Sequence, residues 1–466
     1  MLKLSNLFEK YLIWWVLGLF IFIPLYPKFP LFNVPGTYVA IRMEDFLIAL
    51  ITIWWLIAIC PRINEFLDKT LTKAVLLFWG IGLLSLFSGI FLTQTVSWHL
   101  GLFHWLRRVE TMLLLFIAID AFRSQKGFRF WLKVMLGVIM AVVIYGFGQQ
   151  YLKFPVISTT NREFSKGLIL FLSPEARVNS TFAGHYDLAV FLTFVLTMLA
   201  GFFIYFKKFY TKVFIAVIAF FSFILLAMTA ARVSFFAVLA GITSVFWLSS
   251  QKKLILVLVF FAGLAFVISP DLRHRTVATL TVNLLGGGGA KYTPPVQKAS
   301  PTGHFSVENG ISGEATPAGV PVDIAPGEPI NTTELGVYRS FGIRIDEEWP
   351  RAIRAFEKNP ILGTGYSSIT IATDNDYLRS LGETGILGTL SLILIFWIIL
   401  KSYVRVMCSR QRGLVFYTIT GLTCGLITIF ITSLFIDVLE SSKVAQLLWL
   451  SLGVGMATLE MENNDG

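Results

Sequence analysis

Charge is scarce in this chain. Of its 466 residues only 14% are Asp, Glu, Lys or Arg, against roughly a quarter in an ordinary soluble domain, and that excludes a soluble globular enzyme. Histidine and cysteine are also thin, with five and three residues. Cys60, Cys408 and Cys424 fall in or beside apolar runs and show no C-x-x-C spacing, so neither a zinc site nor a disulfide framework is supported. His99, His104, His274 and His304 have no spacing that suggests ligands or a triad. No Lys/Arg block stands free of the apolar runs, so the formal charge of +10 does not indicate nucleic acid. The first apolar run continues to Tyr26 without a small-residue cleavage site and reads as a retained span.

What the chain has instead is apolar length. Hydrophobic residues make up 55% of it and the mean hydropathy is +0.72. Apolar runs of about 20 residues recur, each enough to cross a hydrocarbon layer of ~30 Å as a helix. The runs are continuous, as in Leu254 to Ile268, whereas barrel strands alternate apolar and polar residues. The class is therefore an all-α polytopic membrane protein. We place spans near residues 11–26, 44–60, 73–93, 109–122, 131–150, 187–206, 213–230, 233–250, 254–269, 385–403, 414–436 and 443–458, about twelve transmembrane helices. With a cytoplasmic N-terminus, the inside segments hold the denser cations, among them Arg62, Lys69, Lys73, Lys207, Lys208, Lys212, Lys401, Arg405, Arg410 and Arg412. The expected orientation is N-in and C-in. Arg107, Arg108, Lys153, Arg162, Lys166, Arg177 and Arg232 then lie on the outer side, where topology gives them no reason to be.

Three parts follow: spans 1–9 in residues 1–269, a large outer loop in 270–384, and spans 10–12 with a cytoplasmic tail in 385–466. Within the loop, 286–333 is rich in Gly, Pro, Ala and Thr and is expected to be a flexible excursion, because it offers little apolar surface to offset ordering entropy. From Arg339 to Thr384 a helical part is expected. IDEEWPRAIRAFEKNP sets Ile353 and Phe356 opposite Arg351, Arg354 and Lys358, an amphipathic helix on the membrane surface or over a cavity. Pro350 suits a first turn or a kink, and Gly363 and Gly365 permit the tight turn that follows.

The order of short motifs in this half resembles one family. Arg344-Ile-Asp-Glu-Glu-Trp349, Asn359-Pro-Ile-Leu-Gly-Thr-Gly365, Asn375-Asp-Tyr-Leu378 and Gly382-Glu-Thr-Gly-Ile-Leu-Gly388 look like the signature region of the O-antigen ligase and O-antigen polymerase superfamily. Thr229-Ala-Ala-Arg232-Val-Ser resembles its short turn between consecutive spans. Arg177-Val-Asn-Ser-Thr-Phe-Ala-Gly-His-Tyr-Asp-Leu188 resembles its loop entering a middle span. The resemblance implies a GT-C-like glycosyltransferase of the bacterial cytoplasmic membrane. Such an enzyme takes glycan from an undecaprenyl-diphosphate-linked donor at the outer face, with a lipid A core or another lipid-linked repeat as acceptor, and no metal and no cofactor.

The residues fit that chemistry. A diphosphate leaving group gains negative charge as the glycosidic bond breaks, and guanidinium forks stabilise it without nucleotide or metal. Arg232, held in a very short turn at the outer boundary, and Arg344 are the catalytic candidates on the donor side. A snorkelling anchor is the plain alternative for Arg232. Arg351, seven residues beyond Arg344, shares its face if the helix is continuous, and the alternative for both is a solvated face paired with Glu347 and Glu348. Arg177 is a further substrate-binding candidate, or a loop cation beside Glu175. Where the ligase pattern has a His before the Asn, this chain has Asp374. A carboxylate there can accept the acceptor's proton, and the loss of His leans toward the polymerase-like or a broader glycan-transfer branch. Helix capping is the alternative for Asp374 and Asn375. Asn375, Tyr377 and His185 complete the substrate-binding candidates, and an interfacial hydrogen bond is the plain reading of His185. Asp374-Asn-Asp376 has the form of an Asp-x-Asp metal motif but sits where the family has no metal. Arg107, Arg108 and Glu110 can pair locally.

A lipid-linked glycan flippase or other secondary transporter is the alternative function. It should show related halves with broken helices, and no such internal repeat is visible. A non-enzymatic scaffold would need no clustered outer arginines.

Overall fold

The computed structural model describes residues 2–34, 40–158, 170–172, 177–286, 289–293, 324–325, 327–370, 372–409 and 412–464. Most of the 286–333 excursion, with Arg162, Lys166, Glu175 and Arg410, lies outside the described residues.

The chain is nearly all helix. Helices stand at each place where a span was expected: α1 Leu2–Leu25, α2 Met43–Ile59, the short α3 Ile63–Asp68, α4 Thr70–Phe87, α5 Trp98–Ala121, α6 Gln125–Leu152, α7 His185–Tyr205, α8 Phe209–Met228, α9 Arg232–Leu248, α10 Leu254–Ile268, α14 Asp376–Met407, α15 Leu414–Thr432 and α16 Ser442–Asn464. Among the described residues eight helices are long and apolar enough to cross a membrane, or up to nine if one bent pair is a single span. The other expected spans depart for physical reasons. α5 carries Arg107, Arg108, Glu110 and Asp120, α9 has only 17 residues, and α16 carries Lys443 near its start. The bent pair is α10 with the helix after it, turned by 96° at Ser269.

Burial follows the apolar pattern. α7 is buried over 83% of its apolar window, packed among α8, α9, α15 and α16, as an all-round hydrophobic helix should be. α10 instead leaves Leu256, Val259 and Phe260 more than 60% exposed, an apolar surface suited to lipid. This is a multi-pass membrane protein. Two small antiparallel hairpins, Pro30–Asn33 with Ala40–Arg42 and Val156–Ser158 with Leu170–Leu172, ornament it.

The large loop is mostly helix where it is described. Ser269 caps α11, Pro270–Ala278, by accepting from the N–H of Leu272, with Pro270 in the first turn. A π-turn, Thr279–Leu284, continues it. Asn331 caps α12, Thr332–Gly342, which runs through a second π-turn, Ile343–Glu348, into α13, Trp349–Lys358, with Pro350 in its first turn. The excursion's described ends are pinned together. Tyr292 donates its N–H to Glu328 O and receives that of Gly327, both at 2.9 Å, and Arg339 pairs with Glu328 at 2.7 Å. On α13 Ala352 faces inward while Ile353 is exposed, an orientation compatible with a helix lying on a membrane surface.

α14 begins at Asp376, nine residues before the span expected from 385. Its first turns stand outside the apolar run, and Gly385 (φ 66°) kinks the helix where that run begins. Gly363, at φ 70°, faces the kink: a Cβ there would meet Glu383 O at 2.5 Å, and one on Gly385 would meet Ile361 O at 2.4 Å. Only glycine lets these backbones close on one another at positive φ. The contact joins the loop to α14 through Thr364 N–H to Gly382 O and Gly365 N–H to Glu383 O, each 2.9 Å.

Candidate active site

The second π-turn aims Arg344 at the loop before α14. Its Nη2 donates to Asp374 Oδ2 at 2.5 Å and to Phe435 O at 3.4 Å, and Nη1 donates to Ser340 O at 2.8 Å. The guanidinium is 12% exposed and the carboxylate 29%. Asp374 sits at φ 49°, a left-handed conformation that Asp tolerates better than most residues. Burial pushes its carboxyl above the ordinary range; Arg344 opposes that rise and the Asp437 carboxylate adds to it. The result is a partly buried carboxylate, bonded on one oxygen to a cation.

Capping belongs to Asn375. Its Oδ1 accepts from the N–H groups of Tyr377 and Leu378 at 3.1 and 3.0 Å, so Asp374 is spared that task. Tyr377 donates its hydroxyl to Phe430 O at 2.9 Å. The polar atoms of both are thus already used by the fold. Asp376 turns away from Asp374 and accepts from the N–H groups of Val438 and Leu439, so the two carboxylates have separate partners. Among the described residues no group of three or more His, Cys, Asp or Glu could hold a metal ion.

A cationic cluster lies beside this pair. Arg232, the first residue of α9, donates to Thr279 Oγ1 and, at 3.3 Å, to Arg275 O. Its charge is opposed by those of Arg344 and Arg177 and favoured by the Tyr186 hydroxyl. Arg275, on α11, feels Arg177 and Arg232 in the same way. Arg177 Nη1 contacts His185 Nε2 at 2.8 Å. Arg232 thus feels the charges of Arg177 and Arg344, and Arg275 those of Arg177 and Arg232, while Asp374 pairs with Arg344 and Asp271 partly offsets Arg275. Arg351 pairs with Glu347 at 3.9 Å, one turn back. The π-turn between Arg344 and Arg351 breaks the phase that a continuous α-helix would have kept.

Sequence reasoning missed Arg275, whose neighbours read as a loop, and Asp437, placed one residue beyond the expected span 414–436. It also expected Arg107 and Arg108 to pair locally. Arg107 instead reaches Asp45 at 3.0 Å, and Arg108 reaches Glu440 and, at 2.7 Å, Leu439 O. Behind the site Arg108, Tyr366, Asp376, Arg379 and Glu383 line a cavity of about 40 Å³, enough for two or three waters at ~15 Å³ each.

Residues 216–393 match the model of the O-antigen ligase family. Over these residues the chain is similar to the O-antigen ligase family. Its members are O-antigen ligases and polymerases, and the matched stretch runs from α8 into α14. No curated protein matches. The O-antigen ligase region contains Arg232, Arg275, Arg344 and Asp374, whereas Arg177, His185 and Asp437 are supplied from outside it.

Proposed function

We propose that this protein transfers a glycan from an undecaprenyl-diphosphate-linked donor to an acceptor hydroxyl at the outer face of the bacterial cytoplasmic membrane. The observation that carries the reading is the group of Arg177, Arg232, Arg275 and Arg344, which feel one another's charge in turn, with the Asp374 carboxylate bonded to Arg344. The acceptor oxygen attacks the anomeric carbon, and the bond from that carbon to the diphosphate oxygen breaks. The electron pair leaves with the diphosphate, and the acceptor's proton passes to Asp374. The arginines offset the charge that grows on the leaving group. Asp374 faces the nucleophile, since a carboxylate turned toward an anionic diphosphate would raise the barrier.

In this reading about twelve helices cross the bilayer, both termini are cytoplasmic, and the architecture is GT-C-like, with the 270–384 loop over the outer surface. The carboxylate in place of the family's His favours a polymerase-like or broader glycan-transfer branch. Purified protein given lipid-linked donor should release glycan from the lipid, whereas a transporter leaves the glycosidic bond intact. Mass spectrometry of lipid-linked glycans in a deletion strain separates the branches: single unpolymerised repeats indicate a polymerase, full-length chains stranded on lipid a ligase.

A further inference from the structure

The loop 433–441, between α15 and α16, holds the segment 373–376 from both sides. Asp437 Oδ2 accepts the N–H of Thr373 at 2.9 Å and Oδ1 that of Asn375 at 3.1 Å, so the amides on either side of Asp374 end on one carboxylate. The lacing is reciprocal. Asp376 accepts Val438 N–H at 2.9 Å and Leu439 N–H at 3.1 Å, and its own N–H goes to Ser433 O at 2.9 Å. Arg379, one turn into α14, donates to Asp437 Oδ2 at 3.0 Å and so fixes the clamp's orientation. The same loop touches the other half of the pair, since Phe435 O accepts from Arg344. A non-glycine residue held at φ 49° costs energy that surrounding contacts must repay. Asp437 supplies such contacts at the N–H groups of Thr373 and Asn375 while leaving the Asp374 side chain to Arg344.

We infer that Asp437 is the positioning residue of the transfer site, gripping the N–H groups of the residues on both sides of Asp374 so that its carboxylate stays between Arg344 and the acceptor hydroxyl. The inference rests on the reading of Asp374 as the acceptor-side base. It also assigns a catalytic duty to a loop outside the O-antigen ligase match. Carboxylates that orient a reacting group act through geometry, and a misplacement of about 1 Å can cost on the order of 100-fold in rate.

The charges that face Asp374 are Arg344 from the π-turn and Asp437 from the loop, with Arg379 and Asp376 behind Asp437 on α14. Removing the Asp437 charge therefore eases ionisation of Asp374 and shifts the acid limb of the rate to lower pH. Asp437→Asn removes the charge but keeps an accepting oxygen, so it separates this shift from the loss of position that the rate of Asp437→Ala reads.

The test uses full-length protein in nanodiscs with lipid-linked glycan donor and compares Asp437→Ala, Asp437→Asn and Asp374→Asn in single-turnover transfer, donor binding and pH profile. Asp437→Ala should slow transfer about 100-fold with donor affinity unchanged. Asp437→Asn keeps the size and one accepting oxygen, and it should show the lowered acid limb even if the Ala variant folds poorly. Native rates and an unmoved limb in both Asp437 variants, beside a slow Asp374→Asn, would overturn the positioning role and leave the base in place. A native rate in Asp374→Asn would instead remove the base reading itself.

Discussion

Arg177 and His185 meet with Nη1 2.8 Å from Nε2. Arginine only donates, so the ring nitrogen that faces it must be the acceptor, and the imidazole carries its proton on Nδ1. With Nε2 engaged by the guanidinium and Nδ1 protonated, His185 has no free basic nitrogen, whereas Asp374 meets Arg344 through Oδ2.

His185→Gln offers an oxygen to the same guanidinium. It is expected to transfer within about threefold of the native rate, because a positioned general base is worth roughly 10²- to 10⁴-fold and none is being removed. Rate constants from single-turnover assays decide this, and a 100-fold drop would identify His185 as the base.

Arg232→Lys should be nearly as impaired as Arg232→Ala, at about 10²- to 10³-fold below native. Lysine keeps the charge but not the planar fork that suits a diphosphate. Full activity of the lysine variant would reduce Arg232 to an anchor. Arg275→Gln is expected to weaken donor binding and is measured by the donor titration.

Asp374 must be ionised to accept a proton, and burial holds its carboxyl above the ordinary carboxylate range. Transfer should therefore fall on acidification at a pH above the ~3.9 of a free Asp. Asp374→Asn removes that limb and most of the rate with donor binding retained, and the Asn375 cap is untouched. Asp374→His, which supplies another proton acceptor, should retain partial activity with its limb near the ~6.5 of imidazole. Rate against pH for the three proteins is the measurement.

Lys28, between α1 and the first hairpin, is buried beside Asp187 at 3.9 Å, and burial lowers its pKa to about 8. Below pH 8 it is charged in both states, and the fold bears the desolvation cost. Between about 8 and ~10.4 the unfolded chain holds the extra proton, so stability rises with pH across that window. Thermal unfolding in detergent should show the rise, and Lys28→Met should lose up to one proton's worth of slope.

Gly363→Ala and Gly385→Ala each put a Cβ within 2.5 Å of backbone at positive φ. Both should fall in the range above about 4 kcal/mol that marks severe steric defects, seen as loss of the monodisperse peak in size-exclusion chromatography. Gly336→Ala, with nothing within 4 Å, is the control and should behave as native.

Much of the architecture was legible in the chain because its cause is local. A bilayer demands apolar runs of a set length, and helices occur at every expected place, displaced only where polar turns extend a helix, as at Asp376 ahead of Gly385. Arg232, Arg344 and Asp374 could be singled out for the same reason: each is a charge stranded at the end of an apolar run or within a short recognisable motif. Their mutual arrangement had no such local cause. Arg344 meets Asp374 across 30 residues and Asp437 meets Thr373 across 64, separations that no helical or strand period encodes. The cap passed to Asn375 because Asp374 took the left-handed position, and Arg275 joined the cluster because α11 turns 96° away from α10. Sequence by itself determined which segments leave water and which charges remain at the boundary. The tertiary structure decided which of those charges touch, because ion pairs depend on where separate helices end in space.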